Sequence, residues 1–127
     1  MGVSTTTQVL NDGARNLIVH WTGISDGAGG QESAAVKVDV SELAVPCSEV
    51  KIKRISGSVE FGIVELFWDA LTPTKFAELS GTVDLDYCKS GGMVNNAGGG
   101  KTGDLLLSTV GFEANSTYNL HLEMVKK

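Results

Sequence analysis

The sequence predicts an all-β domain, an antiparallel β-sandwich of jelly-roll-like form. Segment after segment alternates apolar and polar residues with period two, the mark of half-buried strands. Sixteen glycines against two prolines supply frequent turns and room for bulges within strands. No stretch of ten residues keeps a convincing helical period.

The elements follow in order. "NLIVHWTG" puts Leu17, Val19 and Trp21 on one face and Ile18, His20 and Thr22 on the other. "AVKVDV" turns Val36, Val38 and Val40 inward and Lys37 and Asp39 outward. "DVSELAV" (39–45) holds at most one helical turn, with Ser41 as its N-cap. "EVKIKRIS" points Val50 and Ile52 inward. "VEFGIVELFW" alternates less cleanly, as a strand does when it is buried on both faces or bent at Gly62. "TPTKFAELS", after Pro73, reads as another short turn. "GTVDLDY" sets Val83, Leu85 and Tyr87 against Asp84 and Asp86. "DLLLSTVGF" reads as a strand, and "TYNLHLEMV" sets Tyr118, Leu120, Leu122 and Met124 against Asn119, His121 and Glu123. Turns fall at "NDG" (11–13), "SDGAGG" (25–30), Pro46, Pro73 and "KSGG" (89–92). Seven to nine such strands make one sandwich domain over residues 1–127.

One loop raises a chemical question. "GGGKTGD" (98–104) ends a glycine run in Lys-Thr, as the phosphate loop of nucleotide hydrolases does. With Gly100 as the second glycine of that motif, position 95 must be the first, and it is Asn95. The motif must also follow a strand and open a helix. Here a loop precedes it and a strand-like run follows, so nucleotide binding is not expected. The excursion over 89–104 is longer than most connections in compact domains, and such loops are usually functional or mobile.

Other chemistries lack partners. A net charge of −5 has the wrong sign for tracking phosphates, so nucleic acid is not expected, and Lys51 and Lys53 of "KIKR" read as a solvated strand face. No apolar run reaches the ~18 residues a membrane span needs, and no secretory leader is evident. "MGVSTT" fits the myristoylation pattern at Gly2, a short pattern read here as coincidence. Cys47 and Cys88 have neither Cys-x-x-Cys spacing nor a nearby histidine and read as two reduced thiols. His20 and His121 lie on polar strand faces. Asp84 and Asp86 share a face and could hold calcium only with oxygens from elsewhere; the commoner use of such a pair is to keep an edge strand soluble. Asn115 of "NST" reads as a turn residue rather than a glycosylation acceptor. No nucleophile elbow, zinc-protease signature or Cys–His arrangement is present, so no catalytic residue, metal ligand or cofactor is assigned. Carbohydrate-binding modules are also β-sandwiches, but they need exposed aromatics, and the two Trp and two Tyr here fall at core-like positions. On the residues alone the chain is a non-catalytic β-sandwich that binds something.

Four stretches, "LNDGARNLIVHWTG" (10–23), "ESAAVKVDVSEL" (32–43), "VELFWDA" (64–70) and "NNAGGGKTGDLLLSTVG" (95–111), resemble in order and spacing small virion structural proteins of tailed bacteriophages, among them capsid decoration or cement proteins. The resemblance implies a jelly-roll-like subunit on the outer capsid surface, made in the bacterial host cytoplasm. It also implies assembly as a homotrimer on the major capsid protein, without enzymatic activity or cofactor. Relatives of this kind also serve in the tail. A cement protein touches several subunits at once, which suits an extended N-terminal arm over residues 1–9. "VSTTTQV" (3–9) is β-prone and polar, and two readings stay open. It adds a strand to a neighbouring subunit through Val3, Thr5 and Thr7, or it is the first strand of its own sandwich.

Overall fold

A computed structural model describes residues 3–25, 35–87, 91–95, 97, 99–113 and 115–126. Gly2, most of the expected turn at 25–30, Cys88 and parts of the 89–104 loop lie outside the described residues. Among the described residues seven antiparallel strands form: β1 (Val3–Asp12), β2 (Asn16–Ser25), β3 (Ala35–Val38), β4 (Val50–Trp68), β5 (Thr74–Asp86), β6 (Leu105–Val110) and β7 (Thr117–Lys126). The all-β antiparallel class expected from the sequence is the class observed.

Their arrangement turns on β4, a single strand of 19 residues. Its first half pairs with β7 and its second half with β6 on the same side, while β5 runs along the other side of both. The strand order is β1-β2-β7-β4-β6-β3, with β5 branching from β4. The sandwich is thus one sheet folded over, nearly closed like a barrel. The fold line crosses β4 between Val59 and Val64, where the pairing slips against Gly81 and Leu79 of β5. Gly62 permits the bend, because Phe112 packs where its Cβ would stand.

Both halves share one core. Leu17, Val19 and Trp21 of β2 and Tyr118, Leu120, Leu122 and Met124 of β7 meet Val64, Leu66 and Trp68 of β4 and Leu105 and Leu107 of β6. Trp68 stacks on Phe76 with ring centroids 4.1 Å apart. Burying side chains of this size supplies the main stabilisation, ~1.5–3 kcal/mol each.

Four local expectations are corrected. Val36 is exposed, because the β3–β6 pairing slips between Val36 and Val38 and reverses its face. The turn after β3 is a 3₁₀ turn over Val40–Glu42, and its cap is Asp39, whose carboxylate accepts from the Ser41 amide at 3.1 Å. "TPTKFAELS" is no turn beyond Pro73; Thr74 starts β5, which buries Ala77 and Leu79 by strand alternation. Leu85 shares a face with buried Val83 but stays over one-third exposed, at 36%.

Candidate interaction edge

β1 stands at one end of the strand order and pairs with β2 alone among the described strands. Gly13 closes the hairpin by donating to the Asn16 carbonyl at 3.0 Å. Val3, Thr5 and Thr7 lie opposite Ser25, Gly23 and Trp21, so residues 3–12 are the first strand of the chain's own sandwich. This favours one of the two readings left open by the sequence, while the outer edge of β1 stays available for the other.

Opposed residues of an antiparallel pair point to the same face. Gly23, Trp21 and Val19 are buried, yet Thr5, Thr7 and Val9 across from them are exposed, Val9 by 55%. The core-side face of β1 therefore overhangs the core. On the other face Thr6 and Gln8 are exposed as well, and Leu10, set off by a register slip between Val9 and Asn11, is too. From Val3 to Asn11 the strand carries no charge and no proline. Edge strands are normally blunted by such residues against pairing with other chains. β1 has only its slip at Leu10.

The glycine-rich loop answers its question through its contacts. Asp69 and Asp104 are joined by an amide-to-carbonyl bond of 3.0 Å, and Thr102 donates to Asp69 through its amide (3.1 Å) and its hydroxyl (2.8 Å). Lys101 pairs with Glu49 at 3.1 Å rather than standing free for a phosphate. Gly103 has φ 90° and sits against the Ser48 carbonyl, where a Cβ has no room. Upstream, Met93 exchanges two backbone bonds with Ile52, at 2.7 and 3.0 Å. The loop's described residues are pinned to β4 and its flanks, and the run after them is strand β6.

The other candidates are scattered. His20 and His121 sit directly opposite each other on the outer face of β2 and β7, and the His20 ring bonds the Asn119 side chain. Nε2 of His121 is buried without a partner among the described residues. Asp84 is engaged by Arg54 at 3.0 Å, and no group of three or more His, Cys, Asp or Glu gathers among the described residues. Asn115 is a turn residue with φ 69°. Cys47 is half-buried against the core. Trp21, Trp68 and Tyr118 are fully buried and Tyr87 half-buried, so none of them forms a flat sugar platform.

Asp104 is one of the acids held in this region. Burial, with the nearby charges of Asp39 and Asp69, pushes its carboxyl above its ordinary value despite the Val40 amide that donates to it at 3.0 Å. One exposed residue was not singled out by the sequence: Phe61, at the fold line of β4, with φ 60°. Its bulk beside a charged residue and a glycine was the only hint. No protein-family model, curated protein or solved structure matches the chain.

Proposed function

We propose that this chain is a non-catalytic structural protein of a tailed-phage particle, a capsid decoration protein that binds the major capsid protein and stabilises the outer shell. The observation that carries the reading is β1: a ten-residue edge strand, uncharged through Asn11, paired along its outer edge with no other described strand and exposed on both faces over residues 5–11. Strand addition along such an edge gives affinity from main-chain hydrogen bonds and specificity from alternate side chains. The four-segment resemblance points the same way, as does an acidic chain that would stay off packaged nucleic acid.

Stabilisation then follows by linkage. A subunit that binds the assembled lattice, and not released capsid protein, shifts disassembly by its binding free energy. In a trimer, three weak contacts reinforce one another through effective concentration.

The test uses particles lacking the protein, to which wild type or a Thr5→Lys/Thr7→Lys variant is added back. Wild type should co-sediment with the particles and raise their survival on heating, while the folded variant should stay in the supernatant. Equal survival with and without the protein, or its recovery from tails alone, would defeat the decoration reading.

A further inference from the structure

Three strands have one strand neighbour each among the described residues: β1, β3 and β5. Two of these edges are protected. β3 is four residues long and its pairing slips after Val36, and β5 carries Lys75, Glu78, Asp84 and Asp86 along its length. Short length and charge keep an edge from pairing with another chain. β1 has neither over Val3–Val9, where its pairing with β2 runs without a slip.

That same uninterrupted stretch reads nearly alike in both directions. "VSTTTQV" has valine at each end, a polar residue beside each valine, and three threonines between them. Laid antiparallel on a second copy with Thr6 on a two-fold axis, it sets Thr6 against Thr6 and Thr5 against Thr7. Ser4 then stands opposite Gln8, and Val3 opposite Val9. Odd positions meet odd and even meet even, so residues that turn their N–H and C=O outward meet their like. Opposed residues also share a face. The exposed core-side row of Thr5, Thr7 and Val9 is thereby continued by the same row of the other copy. Thr–Thr pairs across strands are favourable, and the run brings no charge to the seam. The slip at Leu10 ends the matching stretch.

We propose that two free copies of this chain pair β1 to β1 about a two-fold axis at Thr6, joining their sheets into one. The interface is isologous, the same patch on both subunits, and therefore closes at two. A β1 edge paired in this way cannot also add to the major capsid protein. That competition rests on the decoration reading: the dimer is the free form, it parts on attachment, and the trimer assembles on the shell. The pairing itself needs only the edge.

Sedimentation velocity on the purified full chain, over a concentration series, tests it with two variants at one position. Thr6 is exposed, so Thr6→Lys and Thr6→Glu should keep the fold and its melting temperature. Wild type should pass from monomer to dimer as concentration rises. Each variant alone sets two like charges face to face at the axis and should shift the equilibrium toward monomer. An equal mixture should regain the dimer, because only the mixed pair places lysine opposite glutamate. A wild type that stays monomeric, or that forms trimers, would overturn the proposal. So would a mixture that dimerises no better than its components. No particle is present, so failed attachment in the add-back experiment would defeat the decoration reading and leave the dimer standing.

Discussion

Lys126 and Asp12 form a largely buried ion pair, with side chains 2% and 18% exposed, that ties the end of β1 to the end of β7. The same ammonium donates to the Val45 carbonyl at 2.9 Å, and the second Asp12 oxygen accepts from the Ala44 amide at 2.8 Å. Two strands and the segment between β3 and β4 thus meet at one charge pair. Removing one partner of such a pair leaves the other charge stranded, and this usually costs ~3–5 kcal/mol. The Val45 carbonyl offsets part of that cost for Lys126. Asp12→Ala should therefore destabilise by roughly 3 kcal/mol in urea titration.

The pair also sets an acid dependence. The Lys126 hydrogen bond, and then the Ala44 amide, hold the Asp12 carboxyl below its ordinary value. A carboxyl depressed in the folded state contributes stability above its unfolded pKa, and loses it as pH falls through the folded value. Stability should drop below about pH 4, and Asp12→Asn should flatten that part of the profile.

Asp104 should behave in the opposite sense. Its carboxyl is raised, chiefly by burial, so the ionised form burdens the fold at neutral pH and is relieved as pH falls. Asp104→Asn keeps an oxygen for the Val40 amide and removes the repulsion from Asp39 and Asp69. The variant should melt higher than wild type at pH 7, and the advantage should vanish in acid.

Trp21 tests whether the aromatics are core or platform. It is fully buried in β2. Trp21→Ala should cost about 3–5 kcal/mol and could leave the domain unfolded at 37 °C. A variant that stays as stable as wild type but loses glycan binding on an array would instead favour a carbohydrate-binding module.

The glycine-rich loop makes a paired prediction. Gly103→Ala places a Cβ against the Ser48 carbonyl at φ 90° and should destabilise by more than about 1 kcal/mol. Lys101→Ala breaks a partly exposed pair and should cost under about 1 kcal/mol. Neither wild type nor Lys101→Ala should give binding heat with ATP or GTP in calorimetry.

Where one strand ran without interruption, the sequence was easy to read. β2 and β7 pair in continuous register, and every inward residue named from their alternation is buried. In the sequence β4 reads as two pieces, because its pairings slip between Ile52 and Arg54 and again between Val59 and Val64, each slip changing which parity faces the core. Val36 misled for the same reason. The β1 edge was half legible: its lack of charge is plain in "VSTTTQVLN", but its overhang depends on what the opposite layer covers. Phe61 was illegible, since a positive φ at a bulky residue is imposed by Ser116, 55 positions away.

The pairing of β2 with β7 joins residue 16 to residue 125. During synthesis the β1–β2 hairpin leaves the ribosome early, yet its neighbour in the sheet emerges only after some ninety further residues. Until then Leu17, Val19 and Trp21 have no partner strand on that side, and the unprotected β1 edge is exposed beside them. Pairings this distant in sequence fold slowly and leave adhesive surface open meanwhile. The vulnerable interval for this chain is therefore its own translation, and slower synthesis or higher expression should raise the share lost to aggregates before β7 arrives.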